Sequence, residues 1–241
     1  MSEHETPQPQ SEPAAIGDGF TIWAVFRRGV GQPGRTGADQ AATPLAEVLA
    51  TLESEGVVTR GIYDVSGMRA DADVLVWLHG VPGAGTPPEA LQSAVRRIRR
   101  SHELASTSQV WGAMGVHRDA EFNKRHVPGF LRDVEPKQWV TVYPFNRSYD
   151  WYLLPAEDRS RMLAEHGKAG AAYRGVIANT VSAFALGDYE WILPLESDEL
   201  VELVDMMREL RAVEARMHVR EEIPFFTGRR ITADEIEEVL A

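Results

Sequence analysis

Cysteine is absent from the 241-residue sequence. This absence excludes disulfides, thiolate nucleophiles, iron–sulfur clusters and any zinc or haem held by a thiolate. It is also consistent with a reducing cytosol, so we expect a cytoplasmic protein. No stretch approaches the ~20 consecutive apolar residues of a membrane helix, and residues 1–17 lack the basic residues and apolar run of a signal peptide. The sequence therefore predicts a soluble protein with no membrane partner.

Positive charge is scarce: 25 Lys and Arg residues stand against 36 Asp and Glu residues, and the formal net charge is −11. This balance argues against nucleic acid as the main partner, because phosphate binding requires a cationic face. An acidic protein can still bind an anionic ligand in a local basic pocket, so that class of ligand stays open. Residues 1–18 are rich in Pro, Gln, Ser and Glu and predict a disordered tail.

Strand and helix patterns follow the same order twice along the chain. Both halves read β-α-β-β-α-β, the ferredoxin-like order. The predicted strands are 20–28, 56–64, 73–79 and 107–117 in the first half and 138–145, 174–186, 188–195 and 214–220 in the second. The predicted helices are 43–54, 86–100, 155–169 and 198–211. We therefore expect an N-terminal repeat at 19–118, a connector at 119–137 and a C-terminal repeat at 138–241.

Several predicted strands are apolar on both faces. Examples are the runs VLVW at 74–77 and WILPL at 191–195. A single ferredoxin-like sheet covers only one face with helices, so its other apolar face must also be buried. We expect an α+β fold in which the two repeats form one β-barrel with the helices outside. Two tandem domains with separate cores are the alternative.

Among the seven histidines, His166 stands on the apolar face of a predicted helix. It shares that face with Met162, Leu163, Ala169 and Gly170, at helical spacing. The imidazole is therefore expected to point inward, and Gly167 lets another group approach closely. Spacing alone leaves two interpretations open, a metal ligand and a core histidine bonded to a backbone carbonyl.

An aromatic segment precedes this helix. It contains Tyr143, Phe145, Tyr149, Trp151 and Tyr152. Rings in this number require an apolar partner, and Arg147 among them can bind a carboxylate through two hydrogen bonds. Together with an inward histidine they indicate a flat, anionic, metal-bearing ligand such as an iron porphyrin. A subunit interface would have much the same composition.

Four motifs resemble the coproheme decarboxylases, relatives of chlorite dismutase. They are YPFNR at 143–147, WYLLPAEDRSRMLAEHGKAG at 151–170, DYEW at 188–191 and PFFTGRR at 224–230. The resemblance covers about residues 20–230 and is strongest from 138 onward. It implies two ferredoxin-like repeats in an α+β barrel and five chains in a ring.

The resemblance also implies roles for individual residues. His166 corresponds to the axial ligand of the iron and Tyr143 to the redox-active tyrosine. Arg147 corresponds to the basic residue that holds a propionate, and Trp151 is expected to bind the porphyrin as well. His126, in KRHVPGF, corresponds to the distal base of the actinobacterial branch. The polar distal residue of other branches falls near Asn179, where a chlorite dismutase requires an arginine.

The implied reaction is the peroxide-dependent oxidative decarboxylation of two propionates of Fe-coproporphyrin III (coproheme). It yields haem b and carbon dioxide and is the last step of the coproporphyrin-dependent haem pathway. The implied partners are coproheme, hydrogen peroxide, other copies of the chain in a homopentamer and, transiently, the coproporphyrin ferrochelatase. A haem peroxidase or chlorite dismutase on the same scaffold and a non-catalytic haem carrier are the alternative functions.

Overall fold

The computed structural model describes residues 19–29, 42–118, 127–132 and 134–241. The strands are β1 (Phe20–Arg28), β2 (Val57–Asp64), β3 (Val74–Gly80), β4 (Thr107–Val116), β5 (Trp139–Arg147), β6 (Ile177–Ala178), β7 (Val181–Ser182), β8 (Trp191–Ser197), β9 (Val219–Glu221) and β10 (Phe226–Ile231). The helices are α1 (Leu45–Ser54), α2 (Pro88–Ile98), α3 (Ala156–Gly170), α4 (Leu200–Leu210) and α5 (Ile236–Val239). No helix in these residues is long and apolar enough to cross a membrane.

Antiparallel pairing closes the sheet on itself. The hydrogen-bonded order runs β7-β4-β1-β3-β2-β10-β5, and β8 pairs with both β5 and β7. The β5–β8 pairing is long, from Trp139↔Ser197 to Phe145↔Trp191. The β4–β7 pairing consists of the single pair Val116↔Ser182. The described residues therefore form one barrel that draws strands from both halves of the chain, as predicted, and not two separate cores.

Alternation along the strands separates the inside of the barrel from the outside. On β1, Trp23 and Val25 point into the barrel, whereas Ala24 and Phe26 point outward. The interior is filled by large rings, with Trp23 and Trp77 5.5 Å apart between centroids and Phe130 of the connector 6.1 Å from Trp77. Both faces of these strands are buried because helices cover the outside, which accounts for the doubly apolar strand sequences.

Two helical layers cover the outer face. Helices α1 and α2 pack on the first-half strands through Leu45, Leu52 and Leu91, which are fully buried. Helix α4 packs on β5 and β8 through residues such as Leu203 and Met206. Helix α3 lies beside α4, and its residue Ala169 contacts the same layer. This second layer contains the aromatic segment and His166.

The last part of the second repeat differs from the prediction. Residues 174–186 form only the two short strands β6 and β7, and residues 214–218 form a 3-10 helix instead of a strand. The strand that completes the barrel is β10, which pairs with β2 and β5. Its sequence FTGRRI carries little apolar alternation, so local pattern did not identify it. Its position depends on non-local pairing.

Candidate functional site

The candidate site is a cavity between the outer face of β5 and the helices α3 and α4. Tyr143, Phe145 and Arg147 reach it from alternate positions of β5, and His166 reaches it from α3. Alternation places Val140 and Val142 on the opposite face, inside the barrel. The sequence-predicted ligand, tyrosine and arginine therefore line one cavity.

Tyr143 is almost completely buried in this layer. Its ring stacks on Phe225 with centroids 4.3 Å apart, and its hydroxyl donates to the Met207 sulfur at 3.5 Å. Burial, reinforced by the nearby Glu222 carboxylate, raises the pKa of the Tyr143 phenol. The Tyr143 side chain is therefore a neutral phenol at every pH at which proteins are normally stable.

His166 is half-buried and points into the cavity, as the helical spacing predicted. Among the described residues none forms a hydrogen bond with its ring, so the structure gives no support to a core histidine bonded to a backbone carbonyl. Burial lowers the pKa of His166, and the positive charge of Arg147 lowers it further. A neutral imidazole facing a cavity is the form that can coordinate iron.

Arg147 is held by two aromatic rings. Its guanidinium carbon lies 4.2 Å from the Trp151 ring centroid and 5.1 Å from that of Phe145, within cation–π distance. Its backbone amide donates to Glu190 at 2.8 Å. Trp151 itself is 2% exposed and does not line the cavity. In this structure Trp151 therefore positions Arg147.

Three further charged residues line the cavity, and no motif pointed to them. Arg211 follows α4, Arg216 lies in the 3-10 helix at 214–218, and Glu222 follows β9. With Arg147, three guanidinium groups from the described part of the chain line the cavity, in a protein of net charge −11. This is the local basic pocket that the composition left open, and it suits a ligand with several carboxylates.

Size is the second test of a porphyrin ligand. The cavity measures about 60 Å³, whereas small-molecule pockets are typically ~300–1,000 Å³. An apolar groove of about 350 Å³ adjoins it, and Met207 and Arg211 line both spaces. The chemistry of the walls fits an iron porphyrin with carboxylates. The cavity volume is too small for a porphyrin, so binding requires the walls of the cavity to move.

The distal residues are placed differently from the cavity residues. His126 lies outside the described residues. Asn179 is fully buried; its amide nitrogen donates to Glu196 at 2.9 Å, and its oxygen accepts from the Phe130 amide at 3.1 Å. The preceding residue, Ala178, packs in the helical layer, so the Asn179 side chain points the other way. The polar atoms of Asn179 therefore form hydrogen bonds within the barrel and do not face the cavity.

Comparison with protein families and curated proteins gives consistent matches. A family model described as chlorite dismutase matches residues 38–231. A coproheme decarboxylase of Mycolicibacterium smegmatis is 51% identical over 218 residues, which cover 90% of each chain. A coproheme decarboxylase of Thermus thermophilus is 30% identical over 200 residues, which cover 78% of each chain.

Solved structures agree on the fold. A variant chlorite dismutase from Candidatus Nitrospira defluvii superposes with a TM-score of 0.76 at 19% identity, covering 94% of this chain and 96% of that one. A second variant, in complex with cyanide, gives 0.76 at 18% identity and covers 95% and 97%. At these identities the likeness concerns the fold alone.

Proposed function

The chain belongs to the chlorite dismutase family and, within it, to the coproheme decarboxylases, and we propose that His166, Tyr143 and Arg147 carry the reaction. The reaction converts two propionates of coproheme to vinyl groups and gives haem b. For each propionate, one hydrogen peroxide and one proton yield a vinyl group, carbon dioxide and two waters. The observation that carries the residue assignment is that one cavity contains a neutral imidazole, a buried phenol and a guanidinium group.

Each of these residues has a separate task. His166 would hold the iron of coproheme, and that iron would supply the position at which peroxide reacts. Arg147, held against Trp151, fixes a propionate by a charge-assisted hydrogen bond. Bound coproheme supplies the iron that reacts with peroxide and the carboxylates that are lost.

Tyr143 links peroxide reduction to decarboxylation. Its phenol would lose an electron and a proton together to become a radical, because burial disfavours the phenolate. Hydrogen peroxide at the bound iron would be the oxidant, taking the electron and carrying the proton away in water. The radical takes a hydrogen atom from the β-carbon of a propionate and is restored to phenol. The bond to the carboxylate would then break and release carbon dioxide, and the second electron would complete the reduction of peroxide to water. Stacking on Phe225 keeps the ring in place throughout.

His126 is proposed as the distal base that moves a proton between the two oxygens of peroxide. The support is the KRHVPGF motif and the position of the residues that follow it. Pro128, Phe130 and Leu131 are buried, and Phe130 packs inside the barrel. The connector is therefore anchored directly after His126.

The proposal extends to the setting of the enzyme. We expect a homopentamer in the cytoplasm that receives coproheme during transient contact with the coproporphyrin ferrochelatase. The support is the resemblance of the motifs at 143–170 and 224–230. Light scattering after size-exclusion chromatography measures the number of chains in the oligomer. Titration of one purified enzyme with the other measures the contact with the ferrochelatase.

One experiment tests the function directly. The protein is loaded with coproheme, hydrogen peroxide is titrated in, and the porphyrins are separated and weighed by mass spectrometry. We expect the loss of two carboxylates per porphyrin and the accumulation of haem b. A bound porphyrin that keeps all four carboxylates under peroxide would leave only the haem carrier or peroxidase. Chlorite decomposition is the parallel assay, and the absence of an arginine at Asn179 predicts that it is slow.

A further inference from the structure

Glu222 is the one carboxylate that lines the candidate cavity among the described residues. Its side chain is 13% exposed, and it accepts from Arg211 at 2.7 Å and from Arg216 at 2.8 Å. Two guanidinium groups therefore converge on a single carboxylate at the wall of the cavity. Such charge-assisted pairs are geometrically specific for carboxylates.

The substrate of the proposed function carries the same chemical group. Coproheme has four propionates, and haem b retains two. Arg211 lines both the small cavity and the adjoining apolar groove, so a porphyrin that fills both spaces must pass beside it. In the structure the carboxylate paired with Arg211 is that of Glu222.

The backbone around Glu222 is weakly held. The preceding strand β9 contributes only two residue pairs with β5, Asn146↔Glu221 and Arg147↔Val219. The following residue, Ile223, is 65% exposed. Segments with few hydrogen bonds and little burial move at low cost in free energy. Displacement of Glu222 is therefore compatible with an otherwise intact barrel.

We propose that Glu222 is an internal competitor of the substrate carboxylate, an inference that rests on the proposed function. Glu222 occupies Arg211 and Arg216 in the ligand-free protein and yields them to a propionate of coproheme. Once that propionate has become an uncharged vinyl group, Glu222 returns to the two arginines. The competition therefore weakens the binding of coproheme, and it keeps Arg211 and Arg216 paired when the product leaves.

Replacement of Glu222 by glutamine tests the proposal through binding alone. E222Q keeps the size of the side chain and removes its charge, so Arg211 and Arg216 no longer have an anionic partner. We expect coproheme to bind about tenfold more tightly than to the natural protein, while the affinity for haem b changes little. The measurement is titration of apo protein with each porphyrin, followed by the Soret band and by quenching of tryptophan fluorescence.

Two further variants make the test specific. E214Q removes a carboxylate of similar chemistry from an exposed ion pair with Arg161 outside the cavity and should leave both affinities unchanged. R216Q removes a cation for which both carboxylates compete, so it should weaken coproheme binding and leave haem b binding nearly unchanged. R216Q also provides an answer if E222Q does not fold.

The outcomes separate this inference from the proposed function. If E222Q changes the two affinities by the same factor, or weakens coproheme binding, Glu222 is not a competitor and the inference is wrong. The inference also fails if R216Q weakens the binding of both porphyrins equally. If the natural protein binds coproheme but makes no haem b with peroxide, the proposed function fails, whatever the ratio of affinities.

Discussion

The Arg60 guanidinium on β2 donates to both carboxylate oxygens of Glu196 on β8, at 3.0 and 3.2 Å. Both side chains are buried, and Asn179 and the Lys137 amide also donate to Glu196. Burial raises the pKa of Glu196, whereas these donors lower it. The number of donors on one carboxylate is that expected of the ionised form. Because Arg60 lies on β2 and Glu196 on β8, this ion pair joins a strand of the first half to a strand of the second half.

Removal of this carboxylate is expected to destabilise the barrel. Glu196→Ala leaves the Arg60 charge buried without its partner, which costs about 3–5 kcal/mol. Urea unfolding followed by circular dichroism measures the loss. Glu214→Ala, which breaks an exposed ion pair, is the matched control and should cost much less. Equal losses for the two variants would mean that the buried pair has no special role.

Replacement of His166 tests iron ligation. His166→Ala should abolish the five-coordinate ferric Soret spectrum of bound coproheme or weaken its binding strongly, because no other described histidine lines the cavity. His102→Ala, in the first half of the chain, is the control and should bind normally. An unchanged spectrum in His166→Ala would assign the iron to another histidine.

Tyr143→Phe separates chemistry from packing. The ring and its stacking on Phe225 remain, and only the weak contact of the hydroxyl with Met207 is lost. We expect coproheme to bind and peroxide to be consumed while no carbon dioxide is released. Tyr149→Phe is the control, since Tyr149 is 81% exposed. If Tyr143→Phe forms haem b at the wild-type rate, the radical must be assigned to another tyrosine, and Tyr152 is tested next.

His126→Ala tests the distal base. A general acid–base residue typically contributes ~10²–10⁴ in rate, so peroxide activation should slow by such a factor. Binding of coproheme should stay nearly the same, because the proposal assigns the iron to His166 and not to His126. Stopped-flow spectroscopy of the loaded protein measures the rate. If His126→Ala activates peroxide at the wild-type rate across neutral pH, His126 is not the distal base.

His79 should make the fold sensitive to acid. Burial lowers the pKa of His79 from 6.5 to about 4, although its ring also bonds the Gly80 carbonyl. Between these values the unfolded chain binds a proton that the folded chain does not, so stability falls as the pH falls from 6.5 towards 4. The expected loss is about 2–4 kcal/mol. In His79→Gln, urea unfolding at several pH values should show a flatter dependence; parallel curves would contradict the assignment.

The order of the elements was largely predictable from local pattern. The strand β1 was predicted within its observed bounds, and the helical face of His166 followed from 3.6-residue periodicity. The strand β10 was missed because it begins just after Pro224 and carries two consecutive arginines, Arg229 and Arg230. Its pairing with β2 spans most of the chain, and such partners leave no local signal.

The site was predictable only where a motif marked it. Tyr143, Arg147 and His166 belong to recognisable motifs, and the structure brings them to one cavity. Arg211, Glu222 and Arg216 come from the end of α4 and the irregular segment after it. Charged residues there read as an ordinary solvated surface, since their convergence depends on how the segment folds back onto β5.

Strand β5 contributes to two parts of the molecule, because its residues alternate between the barrel interior and the cavity. Insertion or deletion of one residue within it would exchange the two sets, turning Val142 outward and Tyr143 into the barrel core. We therefore expect a one-residue insertion or deletion within β5 to disrupt both the barrel core and the cavity, whereas the connections around β5 can change length without this exchange. The spacing from Tyr143 to Arg147 is accordingly a property of the fold as much as of the chemistry.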